Sequence, residues 1–261
     1  MKNMSLLSGR KILVAVTGSI AAVKAPILVS RLIKSGAEVK CVLTKSAAKL
    51  VSPLSLSTLS RNRCYQDKDQ WVDSQTKPLH IVLAEWAELI VVAPMSATSL
   101  SKFSNGNGEG LLASILLASQ SQIIIAAAMN TSMWENQLVK RNWNFVKNID
   151  QVISLEPCKG LLACDSFGDG KMVNLDIIEL ASESAFIFNA ENKFPTQDLK
   201  HIRFLVTAGP TVEKLDAARQ LTNRSSGRMG VLIAQAAKLR GAEVDLVHGP
   251  ISVHEDLLER L

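Results

Sequence analysis

A chain of 261 residues, 47% hydrophobic and 20% charged, has ordinary globular composition and is long enough for one large α/β domain or two modest ones. Its formal charge of +5 comes from scattered Lys and Arg residues and only 5% of the chain is aromatic, which argues against a nucleic-acid surface and suits phosphorylated small molecules as partners. No apolar run approaches the roughly 18 residues of a membrane span and the first residues lack the apolar core of a signal peptide, so a cytoplasmic protein with no membrane partner is expected.

Lys11 to Val16 reads as a strand, Thr17-Gly18-Ser19 as a tight turn, and Ile20 to Ser35 as a helix in which Pro26 interrupts the pattern. Gly36-Ala37 closes that helix and Glu38 to Leu43 forms the next strand, which completes a βαβ unit. At the first turn, short residues and a helix amino terminus suit a phosphate, with the Ser19 hydroxyl beside it; a glycine that merely makes the turn gives the same pattern. The turn is neither Gly-x-Gly-x-x-Gly nor a P-loop, and this disfavours a nicotinamide dehydrogenase. Thr44-Lys45-Ser46 places a second group of hydroxyls at a strand end.

Ser60 to Lys77 reads as a polar excursion, His80 heads a helical pattern through Ala87, and Leu89 to Ala93 is the next buried strand. Pro94-Met95-Ser96-Ala97-Thr98-Ser99 then turns into a helix. Asn105 to Gly110 is a glycine-rich loop before a helix over Leu111 to Ala118. Ile123 to Met129 has no alternation, as expected of a strand covered on both faces in a doubly wound parallel sheet, where ligands sit beyond the carboxyl ends of the strands. Asn130 stands at such an end; its amide can grip a carboxylate without adding charge, although asparagine after a strand is more often only a turn residue.

The four cysteines, Cys41, Cys64, Cys158 and Cys164, have no Cys-x-x-Cys spacing, so reduced thiols and no metal site are expected. Cys41 falls in an apolar strand pattern as a small hydrophobe, whereas Cys164 lies in a polar loop with Gly168 and Gly170, where a thiol can meet a substrate. Leu175 to Phe188 closes the first domain (residues 1–188), and residues 189–199 form a linker. A second Rossmann-like α/β domain starts in residues 200–261: a strand at Ile202 to Val206, a turn at Thr207 to Thr211, an insertion from Val212 to Ser226, and a helix from Gly227 to Arg240. That helix ends in Arg240-Gly241-Ala242-Glu243-Val244, which echoes Ser35-Gly36-Ala37-Glu38-Val39. One βαβ unit is too little for an independent core, so this domain is expected to be incomplete as given. Asn223-Arg224-Ser225-Ser226-Gly227-Arg228 suits a polyphosphate or, equally, a serine-capped helix with solvated arginines.

Thr17-Gly18-Ser19-Ile20-Ala21-Ala22, His80, Pro94-Met95-Ser96-Ala97-Thr98-Ser99, Ala127-Ala128-Met129-Asn130-Thr131-Ser132-Met133-Trp134 and the Cys164 loop together resemble the homo-oligomeric flavin-containing cysteine decarboxylases over roughly Gly9 to Phe188. Residues 199–261, with Thr207-Ala208-Gly209-Pro210-Thr211 and Asn223-Arg224-Ser225-Ser226-Gly227-Arg228-Met229-Gly230, resemble the start of a phosphopantothenate-cysteine ligase. The pairing is that of bifunctional proteins of coenzyme A biosynthesis.

The resemblance implies a flavoprotein-like fold and FMN-dependent decarboxylation of 4'-phosphopantothenoylcysteine to 4'-phosphopantetheine, through a thioaldehyde and an ene-thiolate. It further implies His80 as base, Cys164 as late proton donor and Asn130 as carboxylate ligand, with Met129 and Lys171 also at the substrate. Gly18, Ser19, Thr44, Ser96 and Ala97 would hold FMN, and the protein would form homotrimers that can assemble into a dodecamer. Imidazole titrates near neutrality and a thiol near 8.5, so base and acid fall in the required order.

An intact ligase half would use CTP and Mg2+, with Asn223 acting on the acyl-nucleotide intermediate; none of that activity is expected from this chain. Ala127, Thr98, Asp165 and Lys171 depart from the usual proline, asparagine, glycine and arginine. A peptidyl-cysteine decarboxylase and a non-catalytic regulatory subunit are the alternative readings.

Overall fold

The computed structural model describes residues 5–71, 77–163, 167–189, 198–253 and 258. It divides into two compact units, Met1–Phe194 and Pro195–Leu261. Most of the expected linker, 190–197, lies outside the described residues.

In chain order the first unit contains β1 (Lys11–Val16), α1 (Ala25–Lys34), β2 (Glu38–Leu43), α2 (Pro53–Ser60), β3 (Cys64–Gln66), α3 (Leu79–Trp86), β4 (Leu89–Met95) and α4 (Ala97–Ser104). It continues with α5 (Leu111–Ala118), β5 (Gln122–Ala127), α6 (Thr131–Glu135), α7 (Gln137–Val146), β6 (Val152–Leu155), the strands β7 (Cys158–Leu161) and β8 (Phe167–Lys171), and α8 (Leu175–Asn189). β1 to β6 form a parallel sheet in the order β3-β2-β1-β4-β5-β6, the doubly wound, Rossmann-type arrangement the sequence leads one to expect.

The sheet carries helices on both faces because its strands present two apolar sides. Leu13, Ala15, Ile90, Val92, Ile123 and Ile125 pack with Leu83 of α3, Phe103 of α4, Ile115 of α5 and Trp143 of α7. The alternating residues Ile12, Val14, Val16, Val91 and Ile124 are fully buried on the other side, where α1, α2 and α8 lie. Every residue of β4 and β5 is buried, which accounts for their unbroken apolar runs. Trp134 and Trp143 meet edge to face, 5.2 Å between centroids at 73°, an arrangement that adds about 0.5–1.5 kcal/mol beyond burial.

Several local expectations need correction. The helix expected over Ile20 to Ser35 splits into a 3-10 turn, Ile20–Lys24, followed by α1. Pro26 then sits in the first turn of α1, where its missing N–H has no partner to lose. The expected polar excursion from Ser60 starts on the last residue of α2 and contains β3 and a 3-10 turn, Asp67–Trp71, while 72–76 lie outside the described residues. The strand expected to reach Met129 ends at Ala127.

The second unit contains β9 (Arg203–Ala208), a hairpin of β10 (Val212–Lys214) and β11 (Gln220–Thr222) within the expected insertion, α9 (Arg228–Leu239) and β12 (Glu243–His248). β9 and β12 pair in parallel and α9 packs on them. The echoed segments make the same turn twice. Gly36 and Gly241 have φ +90° and +88°, and the next N–H of each returns to its helix, Ala37 to the Leu32 carbonyl and Ala242 to that of Ala237, both 3.1 Å. A side chain at either glycine would be strained in this left-handed conformation.

Candidate functional site

The strand order reverses between β1 and β4, whose carboxyl ends diverge around a cavity of about 670 Å³. Thr17 joins the two ends. It is fully buried; its hydroxyl donates to the Pro94 carbonyl at 2.8 Å and accepts from the Ser96 N–H at 2.8 Å. The Ala93–Pro94 peptide between them is cis. Ser96 caps α4, its side chain accepting from the Ser99 N–H at 3.4 Å, so its hydroxyl is held at the cavity wall.

Gly18 is fixed by sterics: a Cβ there would lie 2.5 Å from that of Ser46. Ser19 heads the 3-10 turn without a side-chain cap bond. Since the α-helix itself starts only at Ala25, a 3-10 turn rather than the amino terminus of an α-helix lines the cavity here.

From β5, Met129 and Asn130 reach the same cavity. Asn130 caps α6, its amide oxygen accepting from the Ser132 N–H at 2.9 Å, so the cap uses the carbonyl half of the amide. The antiparallel hairpin of β7 and β8 closes over this strand end, with the Met129 N–H donating to the Gly170 carbonyl at 3.0 Å. Its glycines permit the approach. A Cβ at Gly168 would lie 2.6 Å from Thr131 Oγ1, and one at Gly170 would fall well inside van der Waals contact of the Met129 carbonyl oxygen. Lys171 lines the cavity after running across Gly160, where a Cβ would meet its Cδ at 2.8 Å.

Of the residues singled out in the sequence, Gly18, Ser19, Ser96, Ala97, Met129, Asn130 and Lys171 thus line one cavity. Thr44 and His80 are not among its lining. The Thr44 hydroxyl accepts from the Ala47 N–H at 3.3 Å, a local turn contact. His80 lies in the first turn of α3; its Nδ1 is buried with no hydrogen-bond partner among the described residues. Cys164 and Asp165 lie outside the described residues.

Asn223 is in the second unit, donating to Thr211 Oγ1 at 3.2 Å and accepting from the Ser225 N–H at 2.9 Å. Thr17, Lys24 and Met133 were missed by sequence reasoning. The alternating Gly168 and Gly170 were the available signal for the hairpin's close seat. Among the described residues no group of three His, Cys, Asp or Glu side chains could hold a metal ion, and no helix is long and apolar enough to cross a membrane.

The Flavoprotein family pattern matches residues 2–185, and the DNA/pantothenate metabolism flavoprotein C-terminal domain pattern matches residues 199–259. The chain is 39% identical over 252 residues to the coenzyme A biosynthesis bifunctional protein CoaBC of Bacillus subtilis, covering 96% of this chain and 60% of that protein. Against the protein of the same name from Escherichia coli the identity is 36% over 250 residues, 95% of this chain and 59% of the relative. The chain therefore spans about three fifths of the length of these relatives.

Among solved structures, a cysteine-to-serine mutant of PPC decarboxylase complexed with pantothenoylaminoethenethiol aligns with TM-score 0.61 at 32% identity, over 66% of this chain and 94% of that one. The FMN binding protein AtHal3 aligns with TM-score 0.60 at 31% identity, over 70% of this chain and 97% of that one. With the switch-point cavity and these matches together, the chain belongs to the Flavoprotein family.

Proposed function

We propose that the first unit is an FMN-dependent decarboxylase that converts 4'-phosphopantothenoylcysteine to 4'-phosphopantetheine in coenzyme A biosynthesis. The observation that carries this reading is the single cavity shared by the Gly18-Ser19 turn, the Ser96 cap, Asn130 and Lys171. Its walls fit the cofactor: Ile20, Val23 and Met133 offer apolar surface for a flat ring, while Ser19, Ser96 and Lys24 supply hydroxyls and a cation for a phosphate. Gly18, Ser19, Ser96 and Ala97 would hold FMN, with Thr44 supporting the neighbouring turn. When bound, FMN supplies oxidation of the substrate thiol and later return of hydride.

The chain's own groups do the rest. Asn130 presents its amide to the substrate carboxylate while remaining uncharged, Met129 and Lys171 line the substrate side, and the hairpin excludes water from that strand end. His80 acts as the base that takes the substrate proton, and Cys164 as the acid that returns one. Ile20 and Val23 are 56% and 54% exposed beside the cavity, and His80 is outside it; both observations support assembly into homotrimers in which a second copy covers this side. For the second unit, we assign Asn223 to a CTP- and Mg2+-dependent ligase chemistry. CTP-dependent joining of cysteine to 4'-phosphopantothenate that proceeds unchanged in Asn223→Ala would overturn that assignment.

The test is anaerobic incubation of the flavin-loaded protein with 4'-phosphopantothenoylcysteine, following carbon dioxide and product together. Release of both is expected, with Cys164→Ser still releasing carbon dioxide but stalling before the saturated product. Turnover only of a peptide ending in cysteine, or bound flavin with no turnover, would refute the substrate assignment.

A further inference from the structure

Cys41 on β2 and Cys64 on β3 stand directly opposite one another in the parallel register, which continues with Val42 against Tyr65 and Leu43 against Gln66. Adjacent strands lie about 4.8 Å apart, inside the span of about 4.4–6.8 Å between Cα atoms that a disulfide bridges. Opposed residues of a parallel ladder project to the same face, so both side chains lie in one apolar layer, and both thiols are buried and free. Burial raises the Cys41 thiol's pKa, the neighbouring Cys64 raises it further, and the Ser60 hydroxyl opposes both. The Cys64 thiol is pushed up to about 12, first by burial and then by the Asp69 carboxylate. Cys158, equally buried, stands opposite Lys171 on another sheet.

We infer that Cys41 and Cys64 form a dithiol–disulfide couple, an intrachain modification site oxidised by low-molecular-weight disulfides. β3 has three residues and β2 as its strand neighbour, so opening of this edge exposes Cys64 without unfolding the sheet. The Cys64 thiolate attacks one sulfur of the oxidant, expelling one thiolate and forming a mixed disulfide. Cys41 then attacks the Cys64 sulfur, forming the intrachain bond and expelling the second thiolate. The two protons lost by the cysteines end on the two released thiols, and the oxidant takes up the two electrons.

The bridge would pin β3, and with it the turn from which Asp67 Oδ1 accepts the Leu111 N–H at 2.8 Å, capping α5. Oxidation would thus stiffen the limb between the sheet edge and the α3–α5 pair.

The experiment equilibrates the purified full chain at mildly alkaline pH in buffers of decreasing reduced-to-oxidised glutathione ratio, followed by acid quench, denaturing alkylation and peptide mass spectrometry. Cys41 and Cys64 should lose alkylation together and in equal proportion, with one cross-linked peptide pair replacing them, while Cys158 stays alkylatable. In Cys41→Ser, Cys64 should yield no intrachain cross-link. Retention of both labels throughout, glutathione stably attached to either cysteine, or a cross-link to Cys158 or Cys164 would overturn the assignment.

Discussion

Replacing Thr17 with valine removes one hydroxyl that serves two strand ends. The side chain is fully buried, and both its bonds, to the Pro94 carbonyl and from the Ser96 N–H, measure 2.8 Å. Valine keeps the shape and leaves one acceptor and one donor without their partner, each costing about 1–3 kcal/mol. Ser96 keeps 9% exposure, which lets water recover part of its loss, so the expected destabilisation is about 2–4 kcal/mol. All four tryptophans, Trp71, Trp86, Trp134 and Trp143, belong to the first unit, so urea unfolding followed by their fluorescence reports on that unit. Thr17→Ser keeps the hydroxyl and should lose only about 1 kcal/mol, the value of a buried methyl group. The reasoning fails if Thr17→Val stays within about 0.5 kcal/mol of the parent, or if Thr17→Ser costs as much as Thr17→Val.

Gly170→Ala should force the hairpin off the Met129 carbonyl, at a cost of about 1–3 kcal/mol for overpacking, and weaken flavin and substrate binding together; unchanged binding in titration calorimetry would refute the close seat. Asn130→Asp preserves an acceptor for the Ser132 N–H and should leave stability near the parent's while abolishing turnover by repelling the substrate carboxylate, whereas Asn130→Ala should also lose about 1 kcal/mol of capping in the same urea assay. In the second unit, the side-chain hydrogen bond from Arg240 holds the Asp198 carboxyl below its ordinary value. This contribution is present above the unfolded value near 3.9 and is lost as pH falls through the lower folded value, so Asp198→Asn should flatten the acid limb of a circular-dichroism pH titration.

The central architecture was legible because β4 and β5 are buried on both faces and leave the unbroken apolar runs expected of covered strands. The three-residue β3 carries no such period, and its pairing is decided by the sheet edge beside it. α7 escaped notice because its ten residues include two asparagines and two basic residues, yet Asn142 is buried with Arg141 donating to its Oδ1 at 3.0 Å.

At the site, residues directly after strands could be read from position alone, as with Ser19, Ser96 and Asn130. Thr17 could not: in a turn sequence, a threonine tying two strands together reads the same as one facing solvent. The separation of His80 from the cavity was equally hidden, since spacing along the chain does not reveal what α3 packs against.

The parallel pair of β9 and β12 has α9 on one side, while Leu205 and Val247 on the other are 71% and 58% exposed. By strand alternation Arg203, Glu243 and Asp245 share that outer side, and Arg203 reaches Glu243 at 3.7 Å and Asp245 at 3.8 Å. These charges act as gatekeepers: another molecule stacking on the apolar spot must strip water from an ion pair first. Their protection is electrostatic, with a reach of about 10 Å at 0.1 M salt, so concentrated salt removes the guard and leaves the greasy spot in place. Association through this face should therefore rise as salt is added, in the same direction as the loss of the self-repulsion that a net charge of +5 supplies.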